Sequence, residues 1–139
     1  MVRTYARGVY LGAAWLFVAC LLGQVFLAGL GVFAGYENFE THRQFAYLFG
    51  WLTLILIVLA AVAGLPRRLI GWSALTLVLM ALQSVFILFK SSAPAVAALH
   101  PVNGFLLLLL AIGLARAARA YVAPPWGTGS ALATTGGPA

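Results

Sequence analysis

The chain predicts an all-α fold, an integral membrane four-helix up-down-up-down bundle, on three observations. Only 7% of its 139 residues are charged, 64% are hydrophobic, and the mean hydropathy is +1.06. Polar groups therefore cannot cover the surface, and most of it must face lipid. Four apolar stretches each supply the ~20 residues that a hydrocarbon core of ~30 Å requires. The connections between them are short, which favours antiparallel neighbours. The length allows one domain.

Each helix has its own signals. Helix 1 is expected over about residues 9–33, running out into Gly29, Gly31 and Gly35. The start, MVRTYARGVY, resembles the basic head of a signal peptide. No small-residue cleavage site closes it, however, and the run from Val9 to Phe33 is too long for a signal core, so it reads as a retained helix. Helix 2 is expected over about 41–64, with Asn38 or Thr41 as its cap and Gly64-Leu65-Pro66 as its stop. Helix 3 covers about 69–90. Helix 4 covers about 93–121, with Ser91-Ser92 as N-caps and Pro94 in the first turn, and Pro124-Pro125 ends it. The bundle thus occupies residues 1–123. Residues 124–139, rich in Gly, Ser and Thr, read as a flexible cytoplasmic tail.

A net charge of +6 raises nucleic acid as a partner, but the basic residues punctuate apolar runs, which is a topology signal. Arg3, Arg7, Arg67, Arg68, Arg116 and Arg119 fall on one side of the bundle. Arg43 and Lys90 fall on the other with the only acids, Glu37 and Glu40. This bias places both termini in the cytoplasm and predicts a multi-pass protein of the cell's inner (plasma) membrane. Cys20 is alone, so no disulfide framework is encoded.

His42 and His100 open helices 2 and 4, which run parallel, so both imidazoles lie at one depth near the outer face. Ionisable side chains at membrane depth are functional candidates. The plainer reading is an idle interfacial pair. Diagonal helices of a square bundle lie ~12–14 Å apart, a gap across which two inward imidazoles can hold a metal and a flat macrocycle. Gly104, one turn beyond His100, leaves room for a ring, and Phe45 and Phe49 follow His42 on a face that can pack on it; equally, the glycine serves helix contact and the phenylalanines fill core. Asn103 either orients a ligand or bonds a neighbouring helix. Gln24 and Gln83-Ser84 make interhelical hydrogen bonds or line a pocket. Arg43 and Lys90 either pair with haem propionates or snorkel to the interface. The acids of the loop at 36–43 tune the site or are simply solvated.

Other chemistries fail on inventory. The titratable residues do not complete a zinc or di-iron site. No phosphate loop and no Ser-His-acid set is evident. The broken helices and midplane charges usual in transporters are absent from the pattern.

With Glu40-Thr41-His42-Arg43 opening helix 2 and a second histidine opening helix 4, the chain resembles one half of haem A synthase. That family duplicates such a bundle and uses two histidines of each half at a haem site. The resemblance covers about Val9 to Tyr121 and implies His42 and His100 as ligands, with Arg43 matching the family's His-Arg pair. One bundle stands here instead of two, and Leu99-His100-Pro101-Val102-Asn103-Gly104 lacks the second His-Arg. The chain is also similar to a small uncharacterised family of single-bundle membrane proteins with Gln-(x)3-Ala-Gly, His-Arg and His-Pro-Val-Asn-Gly motifs, which here are Gln24, Ala28-Gly29, His42-Arg43 and His100 to Gly104.

The expectation is a small b-type haem protein of the bilayer. Its metal ligands are His42 and His100, its wider cofactor site adds Arg43, Phe45, Phe49, Gln83, Asn103 and Gly104, and its cofactor is haem b. Two axial histidines suit electron transfer better than an enzyme's open site. The rival is a cofactor-free accessory subunit of a larger membrane complex. An enzyme acting on a quinone or haem precursor ranks last, because it needs a homodimer for a second site.

Overall fold

In the computed structural model, which describes residues 1–122, the chain is entirely helical. Its elements are α1 (Val2–Phe33), α2 (Asn38–Val62), α3 (Arg67–Leu88), α4 (Pro94–Ala97) and α5 (Leu99–Arg119). α1, α2, α3 and the α4–α5 unit are each long and apolar enough to cross a membrane. The expected all-α bundle is therefore what the chain forms. Residues 124–139, expected as a tail, lie outside the described residues.

α1 packs on α2 and on α5, α3 packs on the same two, and the backbones of α2 and α5 do not approach one another. The four spans thus make a square in which α2 and α5 are diagonal. The core runs down its axis through Tyr10, Phe17, Leu56, Leu107 and Leu114, all fully buried. Outside, Phe26, Trp51 and Leu109 stay about two-thirds exposed, as a lipid-facing surface requires.

Two turns follow from local chemistry. Gly64, at φ +62°, ends α2 as a Schellman motif: its N–H bonds the Ala61 carbonyl and the Leu65 N–H bonds the Ala60 carbonyl. Only glycine takes that left-handed angle without strain, and buried Leu65 completes the motif's apolar contact. Between α4 and α5 the helix breaks at Ala98. Pro101 has no N–H for the Ala97 carbonyl, so the ladder fails there.

Several expected boundaries change. α1 starts at Val2, because Arg3 and Arg7 are good helix formers whose heads find seats beside the α2–α3 turn. Arg3 lies over Gly64, and Arg7 Nε donates to the Ala63 carbonyl at 3.2 Å. Helix 4 is not continuous from 93. Neither Ser91 nor Ser92 caps it; Ala93 occupies the cap position without a side-chain bond. Asn38 and Thr41 do not cap α2 either. The helix already includes both, and the Asn38 amide instead donates to the Gly35 carbonyl at 3.0 Å. Gly31 and Gly35 differ from one another. Gly31 is a close-contact glycine, since a Cβ there would sit 2.8 Å from the Phe39 ring, whereas Gly35 lies outside the helix at φ +139°.

Candidate metal centre

The two histidines meet. His42 is in the second turn of α2 and His100 is the second residue of α5, and their ring centres lie 6.2 Å apart with the planes at 57°. Both rings are half-buried. The parallel diagonal helices bring residues 58 positions apart to one depth, as the run lengths predict.

Each ring is held by a neighbouring long helix, α1 for His42 and α3 for His100. His42 Nδ1 lies 3.1 Å from the Gln24 carbonyl of α1, and His100 Nδ1 lies 3.0 Å from the Gln83 carbonyl of α3. A carbonyl only accepts, so each Nδ1 must carry the proton. Each Nε2 is then left with its lone pair and has no protein hydrogen-bond partner among the described residues. A metal-binding imidazole commonly has this form, one nitrogen free and the other donating to a backbone carbonyl that fixes tautomer and ring orientation.

The glutamine side chains strengthen both seats. Gln24 Nε2 donates to the His42 carbonyl at 2.8 Å. In the amide orientation that satisfies its neighbours, Gln83 Nε2 donates to the His100 carbonyl at 2.8 Å while its Oε1 accepts from the Gly104 N–H at 3.0 Å. The same Nε2 also lies 3.0 Å from His100 Nδ1. That ring nitrogen faces the Gln83 carbonyl, however, so it acts as a donor there. Gln24 Oε1 is buried without a partner.

The other expected site residues divide. Gly104 lies against the seat of His100, since a Cβ there would come 3.1 Å from the Gln83 amide. Phe45 lies half-buried beside Gly23 and against Phe49 at 5.2 Å, and Phe49 is buried on Phe17 at 5.8 Å. The pair forms core one and two turns below His42. Asn103 is buried, and its amide donates to the Leu79 carbonyl at 2.8 Å, tying α5 to α3. Arg43 is exposed and paired with Glu40 at 2.6 Å, and Gln44 donates to the same carboxylate at 2.6 Å. Lys90 is exposed beyond the end of α3.

Composition does not single out Phe39. It stands edge-on to His42 at 6.2 Å and to Tyr36 at 5.4 Å, seated over Gly31. Its place three residues before His42, one turn away on the helix, was the available signal. Gln24 makes the interhelical hydrogen bond expected of it, and only its partner, His42, could not be read from the sequence, because the two are on different helices.

Among the described residues, no group of three or more His, Cys, Asp or Glu is close enough to hold an ion. Surface concavities lined by Met1, Thr4, Tyr5, Gly8 and Val9 lie at the opposite end of the bundle and contain no expected site residue.

Residues 24–91 are similar to a family of unknown function (DUF6220). The matched stretch begins at Gln24, takes in His42, Arg43 and Gln83, and stops before His100. A small uncharacterised family of helical membrane proteins is compatible with that match. No curated protein and no solved structure matches the chain.

Proposed function

We propose that this is a small b-type haem protein of the plasma membrane, with His42 and His100 as axial ligands and electron transfer as its work. The observation that carries the reading is the imidazole pair itself: two rings on diagonal helices, each held by Nδ1 and each with Nε2 free. His42 and His100 would hold the metal through their free ring nitrogens, and metal–nitrogen bonds of about 2 Å let one ion reach two imidazoles this close. The separation of 6.2 Å suits that donor set. The likeness of Glu40-Thr41-His42-Arg43 to haem A synthase supports the same cofactor.

Haem, held by His42 and His100, would supply a one-electron iron couple, which suits electron transfer. The chain's own residues then do three things. His42 and His100 bind, the Gln24 and Gln83 carbonyls hold the rings in place, and Arg43 and Lys90 offer cations at the same end. The excess of arginines at the other end supports a cytoplasmic location for both termini, with the histidines at the outer face, where a redox partner would approach.

Purified protein loaded with haem in detergent should show Soret and α bands in a reduced-minus-oxidised spectrum, and His100→Ala should abolish or strongly shift them. A colourless protein after loading, or bands indifferent to both His42→Ala and His100→Ala, sinks the reading and favours the cofactor-free accessory subunit.

A further inference from the structure

The α1–α2 hairpin and the α3–α5 hairpin repeat the same contacts. In each, the first helix supplies a glutamine whose carbonyl takes the imidazole Nδ1–H and whose side-chain amide donates to that histidine's own carbonyl. The sequence intervals are nearly equal, 18 residues from Gln24 to His42 and 17 from Gln83 to His100. α1 is diagonal to α3 and α2 to α5, as an approximate two-fold axis along the bundle requires. Parallel repeats related by such an axis are a recurrent membrane architecture.

Burial follows the same relation. The seventh and fourteenth residues after each histidine are core: Phe49 and Leu56 in α2, Leu107 and Leu114 in α5. Any two inward-facing residues share that spacing, so the weight rests on the matched amide–imidazole pairs. The hairpins differ at two contacts: Gln83 Oε1 has the Gly104 N–H, whereas Gln24 Oε1 has no partner and Ala46 stands at the matching place, and Gln83 Nε2 also lies 3.0 Å from His100 Nδ1, which Gln24 does not match.

We propose that the centre is two-fold symmetric and that Gln24 and Gln83 are its matched positioning residues, each holding the histidine of its own hairpin as the Nδ1–H tautomer. The ligand class is then a metal centre bound by two imidazoles. This rests on the pair being a ligand site, yet its main consequence is a property of the protein without any cofactor. A free imidazole favours the proton on Nε2, the form that cannot ligate through that nitrogen. The two glutamines reverse the preference by placing an acceptor opposite each Nδ1.

The chain has two histidines, so histidine-selective 15N labelling of the full-length protein in detergent, before haem is added, gives two assignable rings. Both should appear as Nδ1–H. Gln24→Met keeps the acceptor carbonyl but removes the amide that ties it to the His42 backbone, so His42 should shift part of the way toward Nε2–H with His100 unchanged, and Gln83→Met should do the converse. Circular dichroism checks that each variant stays helical, and Gln24→Asn or Gln83→Asn replaces one that does not. An Nε2–H ring in the wild type overturns the proposal, as does a variant that moves both rings equally or neither. Haem loading then separates the two ideas. Nδ1–H rings without haem uptake overturn the haem reading and leave the positioning role intact. Haem uptake by a protein whose rings began as Nε2–H does the reverse.

Discussion

At the arginine end of the bundle the buried polar groups close on one another. The Ser73 hydroxyl gives its proton to the Leu69 carbonyl at 2.9 Å, so the Tyr10 hydroxyl, 2.9 Å away, must donate to Ser73 Oγ. Thr76 donates to the Ser73 carbonyl and Thr53 to the Gly50 carbonyl. At the histidine end Gln24 Oε1 is buried with no partner, and the two imidazole Nε2 atoms, which are not buried, have no hydrogen-bond partner among the described residues. Unsatisfied polar groups are costly at membrane depth. The contrast teaches where to look: polar groups that satisfy each other hold the bundle together, and those left open are free to meet something else.

The sharpest way to break that comparison is a large deletion at the closed end. Leu114 is fully buried two residues before Arg116. Leu114→Ala should cost about 2–5 kcal/mol in lost contacts and cavity formation, measured by reversible unfolding in mixed micelles. The histidine tautomers and any haem bands should hardly change in the folded fraction. A spectral change as large as that of His100→Ala would show that the two ends are not separable.

A smaller effect is expected at Tyr10. Its hydroxyl joins α1 to α3 across the bundle diagonal. Tyr10→Phe removes a donor, but Ser73 keeps its own bond to Leu69, so no donor is stranded. Interhelical hydrogen bonds in membranes contribute about 0.6 kcal/mol on average, and a loss near that size is expected in the same unfolding assay. A loss of several kcal/mol would mean that this end depends on its polar network more than on packing.

Much of this architecture was legible in the residues. Four apolar runs with short connections define the spans, and run lengths alone place His42 and His100 at one depth. Whether the two histidine-bearing helices are diagonal or adjacent was open in the sequence, and the packing of α1 and α3 on both of them makes them diagonal. Less legible were features that depend on pairing between helices. The seats of His42 and His100 are backbone carbonyls of other helices, and a carbonyl has no sequence signature. Asn103 shows the same limit: its place was open between orienting a ligand and bonding a neighbouring helix, and its amide reaches the Leu79 carbonyl on α3. The break at Ala98 was readable from Pro101, since a proline cannot serve the carbonyl four residues back.

The finest test concerns Arg43, which both the haem reading and the Glu40 contact claim. Its ion pair with Glu40 is exposed, with the two side chains 59% and 55% accessible, and exposed pairs add little to stability. Neither Arg43→Gln nor Glu40→Gln should shift the unfolding midpoint measurably. Their effects on an anionic ligand at this end should have opposite signs. Glu40→Gln frees the guanidinium and removes a competing carboxylate, so haem should be lost more slowly to a scavenger protein. Arg43→Gln removes the cation, so the loss should be faster. Effects of the same sign, or none, would leave Arg43 as a partner of Glu40 alone and confine the site to the two histidines and the glutamines behind them.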